Sequence, residues 1–205
     1  MAPQPSCSGG RRISKRNSRP PQRDTVLLLA HTSSISSRYA EVNYKLLTRW
    51  HYTPAVLHGI FPLTPPLCWR GCGESASHAH IWWFCPLIRP FWLNILHWMK
   101  EIQGFETPHD PWVVLLHCTA GPVGSYKKSL TPHLLNAAKS LIPRFWKQTV
   151  VPSLRQWLEA VDHIYYMEDL TSSLKNKSDL ARKIWSDWFA FKYKPAYADI
   201  MAQPT

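Results

Sequence analysis

The stretch "CWRGCGESASHAHIWWFC", Cys68–Cys85, holds three of the chain's five cysteines, two histidines and three tryptophans. Cys68, Cys72, His80 and Cys85 give the pattern Cys-x3-Cys-x7-His-x4-Cys. Zinc prefers four thiolate or imidazole donors in a tetrahedron, supplied as two close pairs joined by a loop. Gaps of three and four fall inside the usual ranges of about 2–4 for the first pair and about 3–5 for the second. His80 is preferred to His78, which would leave a gap of six before Cys85. Gly71 and Gly73 flank Cys72 and allow the tight turns that aim amides at a thiolate. A closed Cys3His set has no open position for water, so the expected role is structural. Three thiolates on a divalent ion leave one negative charge, and Arg70 and Arg89 lie close enough in sequence to offset it. Two other readings compete: buried cysteines clustered by chance, and a redox pair, whose usual spacing is two rather than three.

Working outward, the 205 residues suffice for one domain or two small ones, and 45% hydrophobic content can build a core. The fold expected is mostly α: a small CCHC zinc-binding loop packed against several helices, with a disordered basic N-terminal tail. Eleven tryptophans imply large buried aromatic contacts, and eighteen prolines imply short elements. Residues 1–35 read as the tail, 36–194 as the helical region containing the motif, and 195–205 as a second disordered tail. Helices are expected over about Arg38–His51, with Tyr39, Val42, Leu46 and Trp50 on one face, and from Arg89 to a stop at Gly104. Another runs through Leu134–Phe145 and is kinked or ended by Pro143. Ser153 and Gln156 have capping-box spacing ahead of Leu154, Trp157, Leu158, Val161, Ile164 and Tyr165. The last spans about Ser178–Tyr193, with Leu180, Ile184, Trp188 and Phe191 inward. "HDPWVVLLHC" fits a short helix or a buried strand, and "AGPVGSY" reads as a loop.

The net charge of +11 suggests a polyanionic partner, most simply nucleic acid. Residues 1–24 hold Arg11, Arg12, Lys15, Arg16, Arg19 and Arg23 against Asp24, so +5 belongs to the tail and +6 to the rest. "RRISKRNSR" reads as a nuclear import signal or a nucleic-acid arm. The apolar run "VLLLA" is shorter than the about 7–15 residues of a signal peptide's core. No stretch approaches the about 20 apolar residues of a spanning helix. The expectation is an intracellular protein, nuclear or cytoplasmic, with reduced thiols.

"NYKLLTRWHYTPAVLHGIFPLTPPLCWRGCG" followed by "HIWWFCPLIRPFW" resembles the zinc-binding C-terminal region of LINE-type (non-LTR) retrotransposon reverse transcriptases. The likeness continues through "DPWVVLL", "LLNAAKSLI", "FWK" and "PSLRQWLEAVDHIYYMEDL", covering roughly residues 35–193. It implies that Cys68, Cys72, His80 and Cys85 are the ligands and that the region helps hold RNA. Residues 1–34 carry no such likeness, and the family's endonuclease and polymerase are not in this sequence.

Catalysis is not expected. A polymerase needs carboxylates converging on two metal ions. "AYADI" has the outline of a Tyr-x-Asp-Asp box, but Ile200 stands where its second Asp would be. Asp162, Glu168 and Asp169 read as a solvated helix face, and His97, His117, His133 and His163 as scattered. The Walker loop, the nucleophile elbow and the dinucleotide glycine pattern are all missing. Two functions remain. One is a module binding RNA or single-stranded DNA weakly and without sequence preference, with Trp69 stacking on bases and Arg70, Lys45, Arg49 and Arg89 meeting phosphates. The other is a structural relic of a transposable element with no partner of its own. Neither involves a membrane or a small-molecule substrate. Trp82 and Trp83 read more simply as core.

Overall fold

A computed structural model describes residues 26–28, 36–118, 126 and 129–203. The tail 1–25, most of "AGPVGSY" and residues 204–205 lie outside the described residues. The chain is mostly helical, and among the described residues the one β feature is an isolated antiparallel bridge between Leu67 and Ser75.

Helix α1, Ser37–Leu47, stops short of the expected His51. Arg49 takes a left-handed φ of 52°, which ends the helix and turns the chain. Trp50 therefore does not join Tyr39 and Leu46 in the core but is 64% exposed. Asn43 takes the inward position instead. Helix α2, Pro54–Ile60, is started by Thr53, whose side chain accepts the Val56 N–H, with Pro54 at a position that needs no donor. Helix α3, Arg89–Gln103, matches expectation at both ends: Pro90 sits in the first turn and Gly104 closes it at φ 77°. Helix α4, Pro111–Val114, settles "HDPWVVLLHC" as a single helical turn capped by Asp110.

Helix α5, Thr131–Leu141, is buried on nearly every side and packs against α1, α3 and the long helix α6, Leu154–Leu174. After Leu141 the chain tightens into a 3-10 turn, Ile142–Phe145, because Pro143 cannot continue the α ladder. The capping box at Ser153 and Gln156 forms with both of its bonds. Helix α7, Ser178–Lys192, returns along α6, burying Trp185, Trp188 and Phe191. Leu180 is 44% exposed rather than inward, because Trp185 takes the inward stripe with Trp188.

Two expectations are corrected here. The segment expected as a disordered tail over 195–205 is ordered at its start: Pro195–Met201 form helix α8, which buries Ile200 against the core. Nor is the acidic side of α6 solvated throughout. Asp162 accepts hydrogen bonds from Trp188 Nε1 at 3.1 Å, Lys192 Nζ at 2.8 Å and the Tyr197 hydroxyl. Glu168 is buried and takes Trp185 Nε1 at 3.3 Å. Tryptophan is apolar except at one N–H, and these carboxylates are the acceptors that let it be buried.

Trp82, Trp92, Trp157, Trp185 and Trp188 are the largest fully buried side chains. Trp82 and Trp92 join the cysteine stretch to α3, Trp92 Nε1 donating to Trp82 O at 2.8 Å.

Candidate metal centre

The cluster is assembled from two short pieces. The first is a hairpin, in which Cys68 N–H donates to Glu74 O at 2.9 Å and Ala76 N–H to Pro66 O at 2.9 Å. At its tip Gly71 N–H donates to Cys68 O at 3.0 Å. Gly71 and Gly73 have φ of 82° and 81°, which a residue with a Cβ adopts only under strain. The sharp turn brings Cys72 back beside Cys68.

The second piece is a π turn, His80–Phe84, in which Cys85 N–H donates to His80 O at 2.8 Å. A hydrogen bond from residue i+5 to residue i brings those two residues to one side of the backbone. That is the physical meaning of the four-residue gap between His80 and Cys85. The wide turn leaves the carbonyls of Ile81 and Trp82 free of the usual ladder. Arg70 Nη1 donates to Ile81 O at 2.8 Å, and Trp92 Nε1 donates to Trp82 O at 2.8 Å.

One ligand atom from each of Cys68, Cys72, His80 and Cys85 lies within 4.8 Å of the other three. Cys68 Sγ and Cys85 Sγ are 3.9 Å apart, and Cys72 Sγ is 3.3 Å from His80 Nε2. A tetrahedral ion with bonds of about 2.3 Å to sulfur and about 2.0 Å to nitrogen has S···S edges of about 3.8 Å and S···N edges of about 3.5 Å. The donors therefore fit one small tetrahedral cation. The sulfurs are also too far apart for a disulfide, and all are free thiols.

The choice between the histidines is decided by hydrogen bonding. His78 Nε2 accepts Trp82 Nε1 at 3.1 Å and packs against that ring, so it is occupied in the core. His80 is buried, with Nε2 toward Cys72 and Nδ1 3.3 Å from the Glu74 carboxylate.

Electrostatics around the sulfurs are unequal. Burial pushes the Cys68 thiol up to about 11. Burial acts on Cys85 in the same direction, but the N–H groups of Leu87 and Ile88 and the Arg70 side chain outweigh it and hold this thiol below its usual value. Burial also lowers His80, keeping its ring neutral as a ligand requires. A cation held by these four donors would supply the positive charge that Cys68 lacks.

Arg70 corrects a sequence expectation. It was expected to meet phosphates, yet it is 3% exposed, and its Nε and Nη2 are buried without a hydrogen-bond partner. A buried guanidinium needs an acceptor beside it, and the Cys85 sulfur, whose thiol the Arg70 side chain helps to lower, is the group at hand. Its position beside the sulfurs matches the other expectation, that it offsets the site's negative charge. Of the other residues expected to touch nucleic acid, Arg49 and Arg89 are exposed, Trp69 is half-buried, and Lys45 is paired with Glu41 at 2.6 Å. Cys118 lies outside the cluster and is half-buried.

Spacing alone missed a buried polar group elsewhere. Lys139 Nζ, fully buried, donates to Leu115 O at 3.2 Å and contacts Asn43 Oδ1 and His117 Nε2, each at 2.5 Å. His117 Nδ1 meets the Tyr126 hydroxyl at 2.6 Å. Among the described residues no helix is long and apolar enough to cross a membrane. No protein-family model matches the chain.

Proposed function

We propose that the chain is a non-catalytic module, held in shape by one zinc ion, that binds single-stranded nucleic acid, most simply RNA. The observation that carries this reading is the closed set of four donors on a hairpin and a π turn. Three sulfurs and one imidazole suit zinc in a structural role, because four protein ligands leave no coordination position for a reacting water. The positive charge supplies the second half: +6 remains after the tail is set aside. The resemblance to the zinc-binding region of LINE-type reverse transcriptases points the same way. On this reading the chain works as such a region does, acting within the cell.

Binding of a labelled single-stranded RNA to the zinc-loaded chain, measured against salt, tests the proposal. Phosphate contacts release counterions, and four or five of them give a slope of log affinity against log salt of about −3 on single strands. Binding absent at low salt would leave the alternative, a folded relic with no partner of its own.

A further inference from the structure

One surface beside the metal cluster combines exposed aromatic rings with cations. Its organiser is Trp146. That ring lies 5.8 Å from Trp82, 6.2 Å from His78 and 4.9 Å from His51. Its Nε1 donates to Tyr52 O at 2.8 Å. Trp146 thereby ties the segment after α1 to the cluster's π turn. The next residue, Lys147, reaches the cluster's hairpin and holds Nζ 5.7 Å over the Trp69 ring. Arg49, Trp50, Tyr52, Trp69 and Lys147 are thus carried by pieces of backbone joined through one buried ring.

Trp69 is half-buried against the core, and the other four side chains stand out from it. Trp50 is 64% exposed and Tyr52 63% exposed, although α1 and α5 nearby bury leucine and alanine. Arg49 and Lys147 are exposed as well. The outward aim of Trp50 is enforced by the left-handed φ of Arg49. An arginine pays for that conformation, and backbone strain at non-glycine residues concentrates where function needs it. Nearby acids are engaged elsewhere, Glu74 with His80 and Glu41 with Lys45.

We infer that this face is a binding surface for single-stranded nucleic acid, with bases stacking on Trp50, Tyr52 and Trp69 and phosphates paired with Arg49 and Lys147. The inference rests on the nucleic-acid reading above and gives it a place. Accessible ring faces accept a base only when it is unstacked, which selects single strands over duplex. Lys147 covers the Trp69 ring in the free protein. A base that stacks there takes its position, and the ammonium moves to the adjoining phosphate. Arg70 has no part in this surface, because its guanidinium is committed to the cluster.

The test uses the full, zinc-loaded chain and a labelled single-stranded RNA of about 12 nucleotides, within the usual site sizes. Trp50→Ala and Tyr52→Ala should each weaken binding about fivefold to a hundredfold and leave the salt slope unchanged. Trp50→Phe should retain most of the affinity. Arg49→Gln and Lys147→Gln should each make the slope shallower by about 0.7. A further variant replaces Arg11, Arg12, Lys15, Arg16, Arg19 and Arg23 by Gln, and it should keep ring-dependent binding. If that variant loses all binding while the ring variants bind like the parent, the nucleic-acid reading survives and this surface is wrong. Duplex RNA bound as tightly as single strands would also overturn the surface. If the parent chain binds no RNA at low salt, the functional reading itself is overturned and the inference with it.

Discussion

The Glu74 carboxylate lies 3.3 Å from His80 Nδ1, while His80 Nε2 lies 3.3 Å from Cys72 Sγ. The two ring nitrogens thus have separate partners, one carboxylate and one member of the donor set. A carboxylate at the far nitrogen fixes the tautomer, aims the ligand and makes it a better donor. Glu74→Ala should weaken metal binding by about tenfold to a hundredfold, measured by competition with a chromophoric chelator. Glu74→Gln, which keeps an acceptor but not the charge, should fall between Ala and the parent. Equal affinity in all three proteins would show that His80 is oriented by packing alone.

Arg70 gives a second expectation. Its guanidinium is buried beside the sulfurs and bonded to Ile81 O. Removing one partner of a buried charge pair costs about 3–5 kcal/mol. Arg70→Met should therefore lower metal affinity and unfold at lower denaturant. RNA binding by the metal-loaded variant should be preserved, since Arg70 is not on the surface. A variant that keeps full metal affinity and loses RNA binding would reverse the role assigned to this residue.

The difference between the two roles of Arg70 shows what the sequence conveys. The clustering of Cys68, Cys72, His80 and Cys85 was legible because all four lie within eighteen residues, where spacing constrains geometry. The capping box at Ser153 and the stop at Gly104 were legible for the same reason: they are local chemistry. Whether Arg70 faces water or sulfur depends on a hydrogen bond to Ile81, and no periodicity reports that. Trp50 was misread because a helical stripe was continued through Arg49, whose φ of 52° leaves no mark in a hydrophobic pattern. Asp162 and Glu168 looked solvated because their partners, Trp188 and Trp185, are a helix away. The tail helix at Pro195 had a readable start signal, proline in a first turn, but too few apolar residues to reveal what it packs on.

The Asp162 cluster should bear on stability. Asp162→Ala leaves Trp188 Nε1 and Lys192 without their acceptor and frees the Tyr197 hydroxyl. Losing a charged acceptor from part-buried donors costs about 1.5–3 kcal/mol. Urea unfolding at neutral pH should show that loss, and α8 should become more open to proteolysis. An unchanged midpoint would mean that α8 is held by Ile200 alone.

Acid should act through His117. Burial, and then the charge of Lys139, holds this imidazole well below its ordinary value, so the folded protein keeps it neutral. The unfolded chain takes up a proton below about pH 6.5 and the folded one does not. The stability it contributes is therefore complete above about pH 6.5 and is lost as pH falls, at about 1.4 kcal/mol per unit. His117→Gln removes that proton uptake. Between pH 6.5 and 5 the parent should lose more stability than the variant, the difference isolating His117 from the metal ligands, which titrate in both. Parallel pH profiles would show that His117 is protonated in the folded state.

Metal stoichiometry tests the centre of the account most directly. The full chain, purified without chelator and analysed for metals, should carry about one zinc ion per molecule. Cobalt substituted for zinc should give the visible bands of a tetrahedral site with thiolate ligands. Cys72→Ser should lose the metal, whereas Cys118→Ser and His78→Gln should keep it. A parent chain without bound metal, or a Cys72→Ser chain that retains a full equivalent, would contradict the assignment.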